Sequence, residues 1–322
     1  MGDKIKIAVI GTGSIGLMHL ETIEQSDDFE LCAVCDVNEN VVKPIAEKYG
    51  VKYYTDYREM TSDSGIQAVI LNLPHFLHCD ASVWFLNNGI DVLVEKPMAN
   101  TVAECDKMLE AEKKSGKKLA VGHVQRYFLA NRAVKEYVES ERLGKLVMCE
   151  ERRTTDYFSD KRSKWFWDKK LAGGGIVMNY GAHALDKLFY ITGMNEAEIS
   201  SSFGNVKNEH NIEGHAQYFM KFKNGLSASV TFCGYAPCGY EVLYYFTNGT
   251  LRVSESDSLY EYSNGEWKPI EVNEDGGFLK RQLAEFAKYI RGENSEICSG
   301  EYGKRVIESI EKIYGKSEKT LY

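Results

Sequence analysis

The sequence predicts a doubly wound α/β domain over residues 1–122, followed by an α+β domain over residues 123–322 built on a large, mostly antiparallel open sheet. Three observations carry this reading. Apolar runs and amphipathic stretches alternate regularly up to Gly122, the pattern of parallel strands joined by helices. Beyond that point, segments of apolar and polar alternation succeed one another, as in a sheet with one covered face. The 322 residues also exceed the roughly 250–300 at which one core divides, and 43% apolar residues suffice to fill two cores.

The first element is the run Lys-Ile-Lys-Ile-Ala-Val-Ile-Gly-Thr-Gly-Ser-Ile-Gly from Lys4 to Gly16. Its apolar part reads as a strand buried on both faces. Gly11, Gly13 and Gly16 then supply the tight turn, the close backbone approach and the close helix packing of a Rossmann dinucleotide site. Thr12, Ser14 and Ile15 lie within the same turn, and the free amides of the helix that starts near Ser14 suit a pyrophosphate. Asp36 follows twenty residues after Gly16, at the end of the apolar run Leu31-Cys32-Ala33-Val34-Cys35. An acidic group there bonds both ribose hydroxyls and repels a ribose phosphate. No arginine occurs in Val37-Asn38-Glu39-Asn40, so NAD is expected rather than NADP.

The remaining α/β elements follow in order. Helices are predicted over 14–24, 39–49, 78–88 and 102–115, with strands over 31–35, 52–54, 67–71, 91–94 and 118–122. In the second half a helix over 131–139 precedes strands over 147–155, 198–203, 215–222, 226–232, 242–246 and 250–253. A glycine-led helix over 175–192 interrupts them, and helices over 277–291 and 301–314 close the chain, the last able to pack back on the first domain.

A net charge of −8 leaves no basic footprint for nucleic acid. No apolar run approaches about eighteen residues, and a first strand at Lys4 leaves no room for a signal peptide. Lys6 departs from the myristoylation pattern that Met1-Gly2 opens. The expectation is a soluble, cytoplasmic protein with a small-molecule partner and no membrane. The eight cysteines fall largely in core segments and read as reduced; Cys32 and Cys35, three apart on a strand, point to opposite faces.

The motifs in this order resemble the Gfo/Idh/MocA family of oxidoreductases, relatives of glucose-fructose oxidoreductase and inositol dehydrogenase, over nearly the full length. They are the glycine turn, Leu73-Pro74 with His78, Glu95-Lys96-Pro97, Gly122 with Arg126, and Gly173-Gly174-Gly175 followed by Asn179, Gly181, His183 and Asp186. Glu95-Lys96-Pro97 follows a strand at the carboxyl edge of the sheet, where ligands of such folds bind, and proline fixes the turn that aims the lysine. Asn179, His183 and Asp186 fall along one face of the glycine-led helix, and a histidine there can exchange a proton near neutral pH.

The resemblance implies hydride transfer between a nicotinamide and a secondary alcohol or ketone of a sugar, cyclitol or derivative. His183 would accept the hydroxyl proton and Lys96 would orient and polarise the oxygen, while Leu73, Pro74, His78 and Glu95 would line the cofactor loops. Many relatives carry aspartate where this chain has Asn179; an amide can hydrogen-bond but cannot charge, so Asn179 orients substrate. Arg126, Tyr127, Arg153, Trp165, Trp167 and Tyr180 are the candidates for substrate recognition, since aromatic faces pack on sugar rings and arginine suits carboxylates or phosphates. Trp165-Phe166-Trp167 reads as a possible closing loop.

No metal is expected, because His210 is offset from Glu213 and His215. A homodimer or homotetramer is expected through the second sheet, with Tyr218, Met220, Phe222, Phe232, Tyr244 and Phe246 as its apolar surface. Two other functions fit the same motifs: a glycosidase that oxidises its sugar transiently with tightly held NAD, and a catalytically silent nucleotide-binding sensor. Glycoside turnover without net NADH marks the first. Capture of a protein partner without turnover marks the second.

Overall fold

The computed structural model describes residues 3–62, 65–194, 196–206, 209–254, 258–272 and 277–315. It divides into two compact units: Met1–Val124 with Gly277–Lys304, and Gln125–Gly276 with Arg305–Tyr322.

The first unit carries β1 (Ile5–Ile10), α1 (Ser14–Glu24), β2 (Phe29–Cys35), α2 (Glu39–Tyr49), β3 (Lys52–Tyr54), β4 (Ala68–Leu71), α3 (His75–Asn87), β5 (Asp91–Glu95), α4 (Val102–Ser115) and β6 (Leu119–Gly122). All six strands are parallel, in the order β3-β2-β1-β4-β5-β6. The apolar runs follow from this topology: β4 and β6 are buried at every residue, as strands covered on both faces must be. The order reverses at β1, whose last residue Ile10 pairs with Cys35 on one side and Leu71 on the other. A ligand of such a sheet binds beyond the strand ends at that reversal. Gly11–Gly13, Asp36, Leu73-Pro74 and Lys96-Pro97 all lie in loops that leave the carboxyl ends of these strands. Helix α3 starts at His75 rather than at 78, because Pro74, with φ fixed near −56°, serves as its N-cap.

The second unit begins with α5 (Leu129–Ser140) and β7 (Leu146–Thr154), then α6 (Lys169–Ala172) and α7 (Ala182–Thr192). Seven further strands follow: β8 (Ala197–Gly204), β9 (His215–Phe222), β10 (Ser227–Cys233), β11 (Gly239–Phe246), β12 (Gly249–Ser254), β13 (Ser258–Ser263) and β14 (Glu266–Ile270). The eight strands form one sheet, ordered β14-β13-β12-β11-β7-β10-β9-β8. Only β7 and β10 run parallel, with Cys149 opposite Ala228; every other neighbouring pair is antiparallel. Of the two helices that end the chain, α8 (Phe278–Arg291) belongs to the first unit, where Phe286 stacks on Phe29. The division falls inside α9 (Gly300–Gly315).

Three expectations are corrected here. Strands β13 and β14 lie beyond the six predicted; their hairpin turns at Asn264 and Gly265, both at positive φ, and β14 is exposed at four of its five residues, so it has no apolar alternation to read. The glycine-led helix is not uniform: residues Val177–Gly181 form a wider π turn before α7. Finally, Tyr218, Met220, Phe222, Phe232, Tyr244 and Phe246 are buried within the chain and offer no docking surface. The period-two alternation separates two faces of a strand, and the open face of β9 carries Gln217, Phe219 and Lys221 instead.

Candidate active site

The glycine turn of the first unit is shaped by what its side chains would strike. Gly11 has φ +86°, and a Cβ there would overlap the carbonyl oxygen of Asn72; a Cβ at Gly16 would overlap the carbonyl oxygen of Gly11. Gly13 faces open space and is the N-cap of α1, with no side chain capping the helix and no acidic residue in its first turn. The amides at Ser14, Ile15 and Gly16 therefore have no side-chain cap and no acidic residue in their own first turn, which fits a pyrophosphate. Asp36 is pinned beside them. Its Oδ2 accepts hydrogen bonds from both the Thr12 amide and the Thr12 hydroxyl at 2.9 Å, and its Oδ1 accepts from the Asn38 amide at 3.1 Å. The carboxylate stays half-exposed, in the position from which it can accept ribose hydroxyls.

Two more loops of this unit are tied together by His78. Its Nδ1 lies 2.8 Å from the Pro97 carbonyl oxygen and its Nε2 2.8 Å from that of Leu73, and the ring is fully buried. Burial pushes its pKa down against the pull of the two carbonyls, so the ring is neutral and has one proton to donate between them. His78 thus holds the two loops in place.

Glu95 holds the neighbouring backbone. Its Oε2 accepts from the Lys96 amide at 3.1 Å, and its Oε1 lies 3.3 Å from His19 Nε2. Burial raises the Glu95 pKa, but the His19 hydrogen bond and charge, with the nearby Lys96, bring it below the usual carboxylate value. Lys96 itself is half-buried, and its peptide bond to Pro97 is cis. His19, on α1, was not singled out in the sequence; only its placement against β5 shows its role.

In the second unit, Glu213 closes the start of the segment that carries His183. Its carboxylate accepts from the Gly175 amide and the Val177 amide at 2.9 Å and from the Tyr314 hydroxyl at 2.8 Å. Burial pushes its pKa up against those donors. Along α7, Ala182 and residues 184–189 are buried, whereas His183 is half-exposed. Asn179 is buried close to the Tyr157 hydroxyl. Asp186 faces inward, 3.4 Å from Arg126, and Tyr127 is wholly buried.

Lys187, one turn beyond His183, is buried against Glu151 at 2.8 Å and donates to the Tyr240 hydroxyl at 2.6 Å. The Arg153 guanidinium lies over the rings of Tyr180 and Tyr240, and Arg162 donates to the Tyr180 hydroxyl.

The remaining aromatic candidates are engaged with one another. Trp165 stacks on Phe166, while Trp167 stacks on Phe158 and His210. Sequence reasoning did not single out Tyr157, Arg162, Lys187 or Tyr240; their only signals are scattered aromatic and basic residues without periodicity. Among the described residues no group of three His, Cys, Asp or Glu side chains is arranged to hold a metal, and no helix is long and apolar enough to cross a membrane.

Known proteins resemble this chain in sequence and in fold. Residues 5–123 match the family described as oxidoreductase family, NAD-binding Rossmann fold, and residues 131–252 match the GFO/IDH/MocA C-terminal domain. The chain is 28% identical over 233 residues to 1-carboxy-3-chloro-3,4-dihydroxycyclohexa-1,5-diene dehydrogenase of Comamonas testosteroni, an overlap of 72% of this chain and 58% of that protein. It is 32% identical over 148 residues to inositol 2-dehydrogenase of Salmonella typhimurium, covering 45% of this chain and 44% of the relative. The chain therefore spans about half the length of these curated relatives. In fold it is similar to aldose-aldose oxidoreductase of Caulobacter crescentus, with a TM-score of 0.89, 22% identity, and 98% and 97% of the two chains covered. With both domain models matched over more than half its length, the chain belongs to the Gfo/Idh/MocA family of oxidoreductases.

Proposed function

We propose that this protein is an NAD-dependent oxidoreductase that passes hydride between the nicotinamide and a secondary alcohol or ketone of a sugar, cyclitol or sugar derivative. The observation that carries the reading is the uncapped α1 start with Asp36 pinned beside it by Thr12. The relatives named for a dihydroxy ring and for inositol supply the substrate class. NAD, when bound, supplies the hydride acceptor or donor.

In this reading the chain's own residues do the following. The amides at Ser14, Ile15 and Gly16 hold the pyrophosphate, and Asp36 takes the ribose hydroxyls and disfavours a ribose phosphate. Leu73, Pro74 and Glu95 shape the loops around the cofactor, and His78 keeps them in place. Lys96 orients and polarises the reacting oxygen, His183 takes the hydroxyl proton, and Asn179 positions substrate. The protein works in the cytoplasm as a homodimer or homotetramer.

The test is nicotinamide absorbance with NAD against a panel of aldoses, inositols, sugar acids and amino sugars. With an active substrate, His183→Ala should slow turnover by about a hundredfold to ten-thousandfold, and Lys96→Ala should abolish NADH formation. A His183→Ala rate equal to the parent's overturns the assignment.

A further inference from the structure

Arg153 and Arg162, both in the second unit, have no carboxylate partner among the described residues. Arg126 has Asp186 at 3.4 Å and Arg152 has Glu241 at 3.8 Å. Arg153 on β7 and Arg162 in the loop before α6 form no ion pair among the described residues; their partners are aromatic. Arg153 lies 4.8 Å from the Tyr180 ring and 4.5 Å from the Tyr240 ring. Arg162 lies 4.4 Å from the Tyr157 ring and donates to the Tyr180 hydroxyl at 2.9 Å. Both arginines are half-buried, neither fully solvated nor sealed away.

This placement bears on His183. Tyr180 lies in the π turn, three residues before His183, and Lys187 lies one helical turn after it. Tyr180 contacts both arginines, and Lys187 bonds the Tyr240 ring that Arg153 covers. Arg153 therefore runs beside the turn that presents His183. On the other side, Arg162 lies over Tyr157, whose hydroxyl is close to Asn179. The rings lie against both guanidiniums, one N–H of Arg162 is taken by the Tyr180 hydroxyl, and the remaining N–H groups suit the two parallel bonds with which a guanidinium grips a carboxylate or phosphate. Side chains already held against rings lose little rotamer freedom on binding.

We propose that Arg153 and Arg162 form an oxyanion subsite beside His183, so that the substrate is a hydroxy compound bearing a carboxylate or phosphate rather than a neutral polyol. The inference rests on the oxidoreductase reading for what the site does with that compound, but the subsite itself can be tested without turnover. The probes are D-glucuronate, D-glucose 6-phosphate and D-glucose, titrated by intrinsic fluorescence into the full-length chain carrying NADH, at low and at high salt.

The expected result is at least tenfold tighter binding of one anionic probe than of D-glucose, weakened by salt. That preference is lost in Arg153→Met and in Arg162→Met, and retained in part in Arg153→Lys, which keeps the charge and loses the fork. Preference for D-glucuronate identifies a carboxylate, and preference for D-glucose 6-phosphate a phosphate. Equal affinity for all three probes, no binding of either anion at millimolar concentration, or an anion preference that survives both methionine variants overturns the subsite. Should a methionine variant unfold, as circular dichroism would reveal, the Arg153→Lys titration decides: affinity identical to the parent's refutes a role for the fork. If the arginine-dependent preference holds while no hydroxy acid or sugar phosphate is oxidised, the oxidoreductase reading fails and the subsite stands.

Discussion

Replacing Lys187 with methionine would strand a carboxylate in the core of the second unit. The Lys187 ammonium lies 2.8 Å from Glu151 Oε2, and the two side chains are 2% and 4% exposed. Burial lowers the lysine's pKa, but the Glu151 charge and the Tyr240 hydroxyl more than reverse that and raise it above its usual value. The lysine therefore stays charged through neutral pH. Because the folded value is raised, its contribution is fully present below the unfolded lysine value and is lost only as pH rises through the folded one.

Methionine keeps the stem and removes the charge, which leaves Glu151 buried without its counter-ion. Breaking such a pair costs about 3–5 kcal/mol, whereas replacing both partners by apolar groups of similar volume is near neutral or stabilising by about 1–4 kcal/mol. For a unit of this size a loss of 3 kcal/mol corresponds to a fall of about 6–12 °C in its melting midpoint. Calorimetry of the parent, Lys187→Met, Glu151→Met and the double variant at pH 7 closes the cycle. The single variants should fall by that amount and the double variant should recover most of it. A Lys187→Met midpoint within about 2 °C of the parent, or a double variant as unstable as the singles, would refute the reasoning.

Two further outcomes follow from the first unit. Gly16→Ala drives a methyl group into the Gly11 carbonyl; overpacking of this kind costs about 1–3 kcal/mol, and if that strain falls on the nucleotide-holding turn NADH affinity should drop by about fivefold to a hundredfold by fluorescence titration, an unaltered affinity contradicting the tight-turn argument. Glu95, with its pKa held below the usual carboxylate value by His19 and Lys96, contributes stability that is present above its unfolded value and lost as pH drops through the folded one; urea midpoints between pH 7 and pH 3 should decline more steeply for the parent than for Glu95→Gln, and parallel curves count against it.

What could be read in the sequence follows the range of the interactions. The parallel sheet was legible because strands covered on both faces are apolar throughout, as β4 and β6 are, and because glycine turns leave local marks. The sequence also placed Asp36, Pro74 and Lys96 after strands, hence at the carboxyl edge. The π turn was not legible, since the carboxylate that closes the helix start belongs to Glu213, far along the chain from Gly175. Strand alternation in β9 and β11 was visible, yet it separates two faces without saying which one helices cover, and so the buried Tyr218 and Tyr244 were read as open surface. Arg162 and Tyr157 sit in a segment with no periodicity, and only folding brings them to Tyr180. The Asn264-Gly265 pair was the one local sign of the hairpin that ends the second sheet.

The Glu213 carboxylate joins three parts of the chain at one point: its own strand entry, the glycine-led turn before His183, and Tyr314 near the end of the last helix. Ser201 reinforces the same anchorage by donating to the Ile313 carbonyl. A fusion partner or truncation at the carboxyl end that disturbs Tyr314 would thus leave an acidic group short of a donor beneath the turn that aims His183. The end of the last helix is a strut for that turn, and alterations at Tyr314 would loosen the backbone ahead of His183 from a distance.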